Sequence, residues 1–136
     1  MQQSHAYPRI MMFVAINEHG QVIGYIQWLQ KSGFRKEAVM ELEQIAVLAA
    51  FQGRKIGKKL ILRSLDLVKE FLAKESCIIK AIMVTTRTDN DAKHLYENTI
   101  GAKVSAIIKD LYSHDEAIMI SKCKVDPISE TVMSSI

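Results

Sequence analysis

Between Ile61 and Leu72 the apolar side chains return every three or four residues. Ile61, Leu65, Val68 and Leu72 set the period, and Leu60, Leu67 and Phe71 widen it. This is a helix with a broad apolar face, and such a face must be buried against another element. Most of the other apolar runs are short and strand-like. Residues 10–16 and 21–30 flank Asn17-Glu18-His19-Gly20, which has hairpin chemistry. Residues 39–48 and 77–85 are further strands, the latter interrupted by Lys80. Residues 103–111 and 116–122 form a last hairpin across Tyr112-Ser113-His114-Asp115. The long helix therefore packs on a sheet.

A second, shorter helix over residues 90–98 turns Ala92, Leu95 and Tyr96 inward and ends at Gly101. Residues 31–36, with Gly33, read as a loop. The order is ββ-β-α-β-α-ββ. It predicts an α+β fold, a mixed sheet with helices packed on its faces. A chain of 136 residues suits a single domain over 1–136, with its core at about 10–122 and a loosely held tail at 124–136. With 49% hydrophobic and 24% charged residues it has the composition of a globular protein with a real core.

The net charge of +3 is too small to argue for a nucleic-acid partner. Cys77 and Cys123 form no CxxC pair and read as core thiols of a reduced, cytoplasmic protein. His5, His19, His94 and His114 lack metal-ligand spacing, so no metal is expected. No run is apolar for long enough to span a membrane, and residues 1–8 hold no signal-peptide core.

On residues 39–48 strict alternation puts Glu41, Glu43, Ile45 and Val47 on one face. Two acids beside two apolar residues need an explanation: a solvated strand face, or a function. The strongest local signal follows that strand. Gln52-Gly53-Arg54-Lys55-Ile56-Gly57-Lys58-Lys59 leads into the long helix. A helix N-terminus is already positive, so each exposed cation there costs about 0.3–1 kcal/mol. Four cations at one helix start make sense if an anion sits among them, with the glycines letting backbone N–H groups close on phosphate oxygens. The bland alternative is a solvated basic loop. A Walker loop is excluded, because Gly53 and Gly57 are too close together and no Ser or Thr follows the lysine.

At this loop the chain resembles the GNAT superfamily of N-acetyltransferases, whose pyrophosphate loop reads Q/R-x-x-G-x-G/A. Gln52 to Gly57 follows that pattern, with Lys55 in place of the middle glycine. Ile45-Ala46-Val47 looks like the end of the family's central strand. Ala92 with Leu95-Tyr96-Glu97 looks like its N-x-x-A-x-x-L-Y-E helix, with the asparagine, Asn90, displaced by one. The resemblance spans residues 10–122. It implies a GNAT-like fold in which the usual N-terminal β1-α1-α2 segment is largely absent.

The resemblance also implies the activity, transfer of acetyl from acetyl-coenzyme A directly to a primary amine, of small-molecule or peptide type, in a ternary complex. Strands 39–48 and 77–85 would splay to admit the cofactor. Its binding residues would be Ile45, Ala46 and Val47 along the strand, Gln52, Gly53, Arg54, Lys55, Ile56, Gly57 and Lys58 in the loop, and Asn90. A backbone N–H at or near Val47 would polarise the thioester carbonyl. Tyr96 matches the tyrosine that protonates the leaving sulfur, although by itself it reads more readily as a core tyrosine on an amphipathic helix. Glu41, eleven residues before Gln52, sits where some members carry a glutamate base, and Glu43 is one strand repeat on. Ribosomal-protein alanine acetyltransferases look similar through the Tyr96 helix and Asp115–Met119, but their base position falls near Val84, so that substrate is not carried over. Two rivals stand beside this reading. One is a catalytically weak acyl-CoA-binding or interaction module. The other is a nucleic-acid binder using the basic loop. The uncovered edge at Ile10, with Met11, Phe13, Tyr25 and Trp28 behind it, points to a homodimer; the tail after Cys123 is the alternative cover.

Overall fold

The computed structural model describes residues 9–32, 36–111 and 113–123. The polar stretch 1–8, Gly33 of the predicted loop, Tyr112 of the last turn and the tail 124–136 lie outside them. The elements are β1 Arg9–Ile16, β2 Val22–Ser32, β3 Glu37–Val47, a single turn at Ala49–Phe51, α1 Ile56–Lys74, β4 Ile78–Arg87, α2 Ala92–Ile100, β5 Lys103–Ile108 and β6 Glu116–Lys122. The predicted order holds, and the boundaries shift for local reasons. Gly57, Lys58 and Lys59, expected in the loop, form the first turn of α1. The second helix begins two residues later than expected, because Asn90 Oδ1 accepts the Ala92 N–H at 2.8 Å and ties the asparagine outside it. Strand β5 stops at Ile108 instead of reaching Leu111, and the Asp110 N–H bonds Asp115 Oδ1 at 3.0 Å in the turn that follows.

The six strands form one sheet in the order β1-β2-β3-β4-β6-β5, antiparallel except where β3 runs parallel to β4. The apolar stripe of α1 buries Ile61, Leu65, Val68 and Leu72 against Ile26, Trp28, Met40 and Leu42 of the sheet. Trp28 Nε1 donates to Ser64 Oγ at 2.8 Å, so the largest core side chain brings its one polar group to a partner. On β1, Met11, Phe13 and Ala15 pack toward this core, whereas Ile10, Met12 and Val14 turn outward and are exposed.

Strand β3 corrects the alternation expected from sequence. Gln27 lies opposite Gln44 and Trp28 opposite Leu42, so Glu43 is an extra residue in a β-bulge. A bulge inserts one residue and reverses the alternation beyond it. Ile45 pairs with the fully buried Ile26, and so joins Leu42 and Met40 on the helix-covered face. Glu41 therefore does not share a face with Ile45 and Val47. The bulge lies just past the point where β3 and β4 part company. Their parallel pairing runs from Glu37 opposite Ile78 to Glu41 opposite Met83 and stops there. Beyond it each strand stays paired only on its outer side, β3 with β2 and β4 with β6. A wedge opens in the middle of the sheet.

Candidate active site

The wedge carries a cleft on each side. The larger, of ≈ 770 Å³, is lined by Ile45, Ala46 and Val47 of β3, by Gln52, Gly53, Lys55, Ile56, Gly57 and Lys58 of the loop and helix start, and by Asn90. Of the residues expected to hold the cofactor only Arg54 is absent from this lining. Its guanidinium lies over the ring of Phe51, 5.2 Å from the centroid, and Phe51 does line the cleft. Phe51 was not anticipated, nor were Ala92, Leu95, Asn98 and Thr99, the wall contributed by α2. Their helical spacing was a signal for that wall.

Backbone groups converge on this cleft. The Leu48 N–H bonds the Ile23 carbonyl at 2.8 Å. Strand alternation then aims the backbone groups of Ile45 and Val47 at the opposite edge, which β4 has left. Gln52 Nε2 donates to the Val47 carbonyl at 3.0 Å and ties the loop to the strand end. The first backbone bond into α1 runs from Lys59 N–H to the Lys55 carbonyl, so the N–H groups of Ile56, Gly57 and Lys58 precede the ladder. No acid occupies the first turn. Free N–H groups, a helix dipole and the ammonium groups of Lys55 and Lys58 make an anion site, and a diphosphate fits its chemistry.

Lys55 takes the conformation for which the family's pattern supplies a glycine. Its φ of 62° and ψ of 22° are left-handed. The loop thus keeps its turn at the expense of strain, on the order of 1–2 kcal/mol for an L-residue. Gly53, at φ +80°, takes a similar turn without a Cβ to strain it. Lys55→Gly should relieve the strain, offset in part by about 0.5–1 kcal/mol of glycine backbone freedom. We expect the melting temperature to rise by about 2–4 °C. Binding of a diphosphate ligand at this loop should weaken several-fold as the ammonium is lost. Differential scanning calorimetry and a calorimetric titration check the two halves; a lower melting temperature would contradict the strain argument.

The second cleft, of ≈ 350 Å³, lies between Glu43, Gln44 and Ile45 on one side and Val84 to Arg87 on the other, with Tyr25, Tyr96 and Glu116 in its walls. Ile45 and Asn90 line both clefts, so the two meet at the wedge. Tyr96 is 6% exposed, and burial pushes its phenol pKa up. Its hydroxyl has no hydrogen-bond partner among the described residues. Glu43 sits in the cleft and accepts from Gln27 Nε2 at 2.9 Å. Glu41 stands apart, at the last paired position of β3, 3.3 Å from Lys31 Nζ. Cys77 and Cys123 line neither cleft, and burial pushes both thiols up, away from a reactive thiolate. Among the described residues no group of His, Cys, Asp or Glu could hold a metal, and no helix is long and apolar enough to cross a membrane.

A family model described as acetyltransferase (GNAT) family matches residues 1–102. Solved structures share the architecture at low identity. An IAA acetyltransferase from Bacillus cereus is 23% identical with a TM-score of 0.68, over 85% of this chain and 79% of that one. The NatC complex bound to Gag peptide and CoA is 22% identical, TM-score 0.68, over 83% of this chain and 71% of that one. A spermidine N-acetyltransferase chimera from Vibrio cholerae and hSSAT is 20% identical, TM-score 0.67, over 89% and 73%. A search of curated protein sequences returned no match.

Proposed function

This chain belongs to the acetyltransferase (GNAT) family, and from that premise we propose that it moves an acetyl group from acetyl-coenzyme A to a primary amine, directly, with both substrates bound. One observation carries the reading. The anion-binding cleft and the cleft holding Tyr96 and Glu43 join through the wedge at Ile45 and Asn90. Two substrates entering from opposite sides of the sheet would meet there. Among the structural neighbours, one acetylates spermidine and another is solved with CoA and a peptide, which supports an amine acceptor and this cofactor. We place the reaction in the cytoplasm, where acetyl-coenzyme A and reduced thiols coexist.

The thioester supplies an activated acetyl group; the chain supplies the rest. The N–H groups of Gly53 to Lys58, with Lys55 and Lys58, hold the diphosphate. The exposed backbone edge of Ile45 to Val47 holds the pantetheine amides, and an N–H of this edge polarises the thioester carbonyl. Asn90 retains its side-chain N–H groups for the ligand, since its Oδ1 is engaged by Ala92. Glu43 takes a proton from the amine, which as an ammonium has no lone pair. As the C–N bond forms and the C–S bond breaks, Tyr96 gives its proton to the departing sulfur, the new amide nitrogen releases its second proton to restore the phenol, and the proton held by Glu43 passes to solvent.

The experiment is Gly57→Val. A Cβ at Gly57 would lie 3.6 Å from Leu95 Cδ2 and 4.0 Å from Ile45 Cδ1, which is ordinary contact. The γ-methyl groups then crowd the cleft between the two helices without a clash that unfolds them. Coenzyme A affinity should fall tenfold or more, about 1.4 kcal/mol. Calorimetry showing wild-type affinity in a folded variant would remove the cleft from cofactor binding. Coenzyme A release measured over a panel of amines separates turnover from a domain that only binds.

A further inference from the structure

Glu116 opens strand β6 and is only 8% exposed, an unusual place for a carboxylate. It lines the second cleft with Glu43 and Tyr96. Its side chain has no hydrogen bond or ion pair among the described residues. The nearest cation in register is Arg87, directly opposite on β4. Arg87 is committed elsewhere: its Nε and NH2 donate to Asp89 at 3.1 and 3.0 Å, and they hold the Asp89 carboxyl below its usual pKa. A carboxylate with so little exposed surface, set in a cleft wall and without a protein partner, is placed to meet a donor that a ligand supplies.

We propose that Glu116 binds the positive charge of the acceptor and that, together with Glu43, it selects amines carrying more than one. The proposal rests on the amine-acceptor reading of this cleft and names the substrate class. An ammonium offers three donors and a full charge, the chemistry that an unpartnered carboxylate lacks. The two carboxylates belong to strands on either side of β4 and line the same cleft. A diamine can set one ammonium at each carboxylate, with its carbon chain crossing the cleft between them. A primary monoamine engages only one of them. An acidic acceptor meets two carboxylates and an arginine already paired.

The test uses the whole chain, 1,4-diaminobutane and 1-aminobutane as probes, and thermal unfolding as readout. With coenzyme A present, 1,4-diaminobutane should raise the wild-type melting temperature by several degrees and 1-aminobutane by less than half as much. In Glu116→Gln the advantage of the diamine should vanish. Without any amine this variant should melt at or near the wild-type temperature, because no protein hydrogen bond or ion pair is lost. A residue that merely supports the fold would behave in the opposite way. The proposal is overturned if the diamine response survives in Glu116→Gln, if wild-type protein shows none, or if the variant alone melts several degrees lower. Stabilisation by coenzyme A without amine is scored separately. Its absence would defeat the acetyltransferase reading itself, whereas its presence beside a missing diamine response defeats only the assignment of Glu116.

Discussion

Tyr96→Phe should lower kcat by about 10²-fold, near 2.7 kcal/mol of transition-state stabilisation, and leave acetyl-coenzyme A affinity within about twofold. The ring is held from two directions. Helix α2 ends in a left-handed Gly101, and the Ala102 N–H returns to the Tyr96 carbonyl at 3.3 Å. The side chain is thereby buried on the inward face of α2 while lining the second cleft. Burial favours the neutral phenol, so its pKa rises above the ordinary value and the proton stays in place at neutral pH. Any alkaline fall in rate that belongs to Tyr96 must then begin above the ordinary phenol range. The competing role, a tyrosine kept for packing, makes a different prediction. The hydroxyl has no protein partner among the described residues, so its removal breaks no hydrogen bond. Phe keeps the ring, and the melting temperature should hardly move. Steady-state kinetics beside thermal unfolding decide the matter: full kcat in the variant returns Tyr96 to the core.

The elements were legible because their signals are local. The period of Ile61, Leu65, Val68 and Leu72 marks α1, and α1 does pack there. The basic loop was legible for a similar reason, because four cations at one helix start conflict with the dipole and the conflict is visible in the sequence. Where reading failed, the cause was a relation between distant segments. Alternation along β3 cannot reveal a bulge, since the extra residue exists only relative to the pairing of Gln27 and Trp28 on β2. Alternation alone therefore puts Glu43 on one face with Ile45, whereas the splay of strands 39–48 and 77–85 was implied by the family resemblance and is seen where their pairing stops. Glu116 escaped for the same reason. In sequence it is one acid beside Asp115 at the end of a turn; only the pairing of β4 with β6 buries it opposite an arginine whose guanidinium is paired with Asp89. Lys55 is the reverse case. The sequence shows a departure from a glycine pattern, and the backbone accommodates it by adopting the glycine's conformation.

The bulge also separates the two glutamates that sequence left equivalent, and it leads to the second large effect. Glu43→Gln should reduce the rate at neutral pH by about 10²-fold, the low end for loss of a general base. Glu41→Gln should stay within about twofold of wild type. Glu41 is engaged by Lys31 at 3.3 Å, before the strands part. Glu43 lies past that point, in the cleft, with Gln27 Nε2 donating to one of its oxygens at 2.9 Å. That bond orients the carboxyl and leaves its other oxygen for an amine. A glutamine at position 43 can still accept from Gln27, so the geometry survives and only the basicity is lost. An aliphatic amine with a pKa of about 10.4 is roughly one part in a thousand neutral near pH 7.4. An enzyme without its base depends on that fraction, which grows tenfold with each pH unit. The rate of Glu43→Gln should therefore climb with pH and approach wild type near pH 10, while the wild-type profile stays flatter. Tyr25, Arg87, Tyr96 and Glu116 share the cleft and are common to both proteins, so the difference between the two profiles isolates position 43. A Glu43→Gln profile that overlays wild type across this range would remove Glu43 as the base and leave Glu116 as the carboxylate to examine in its place.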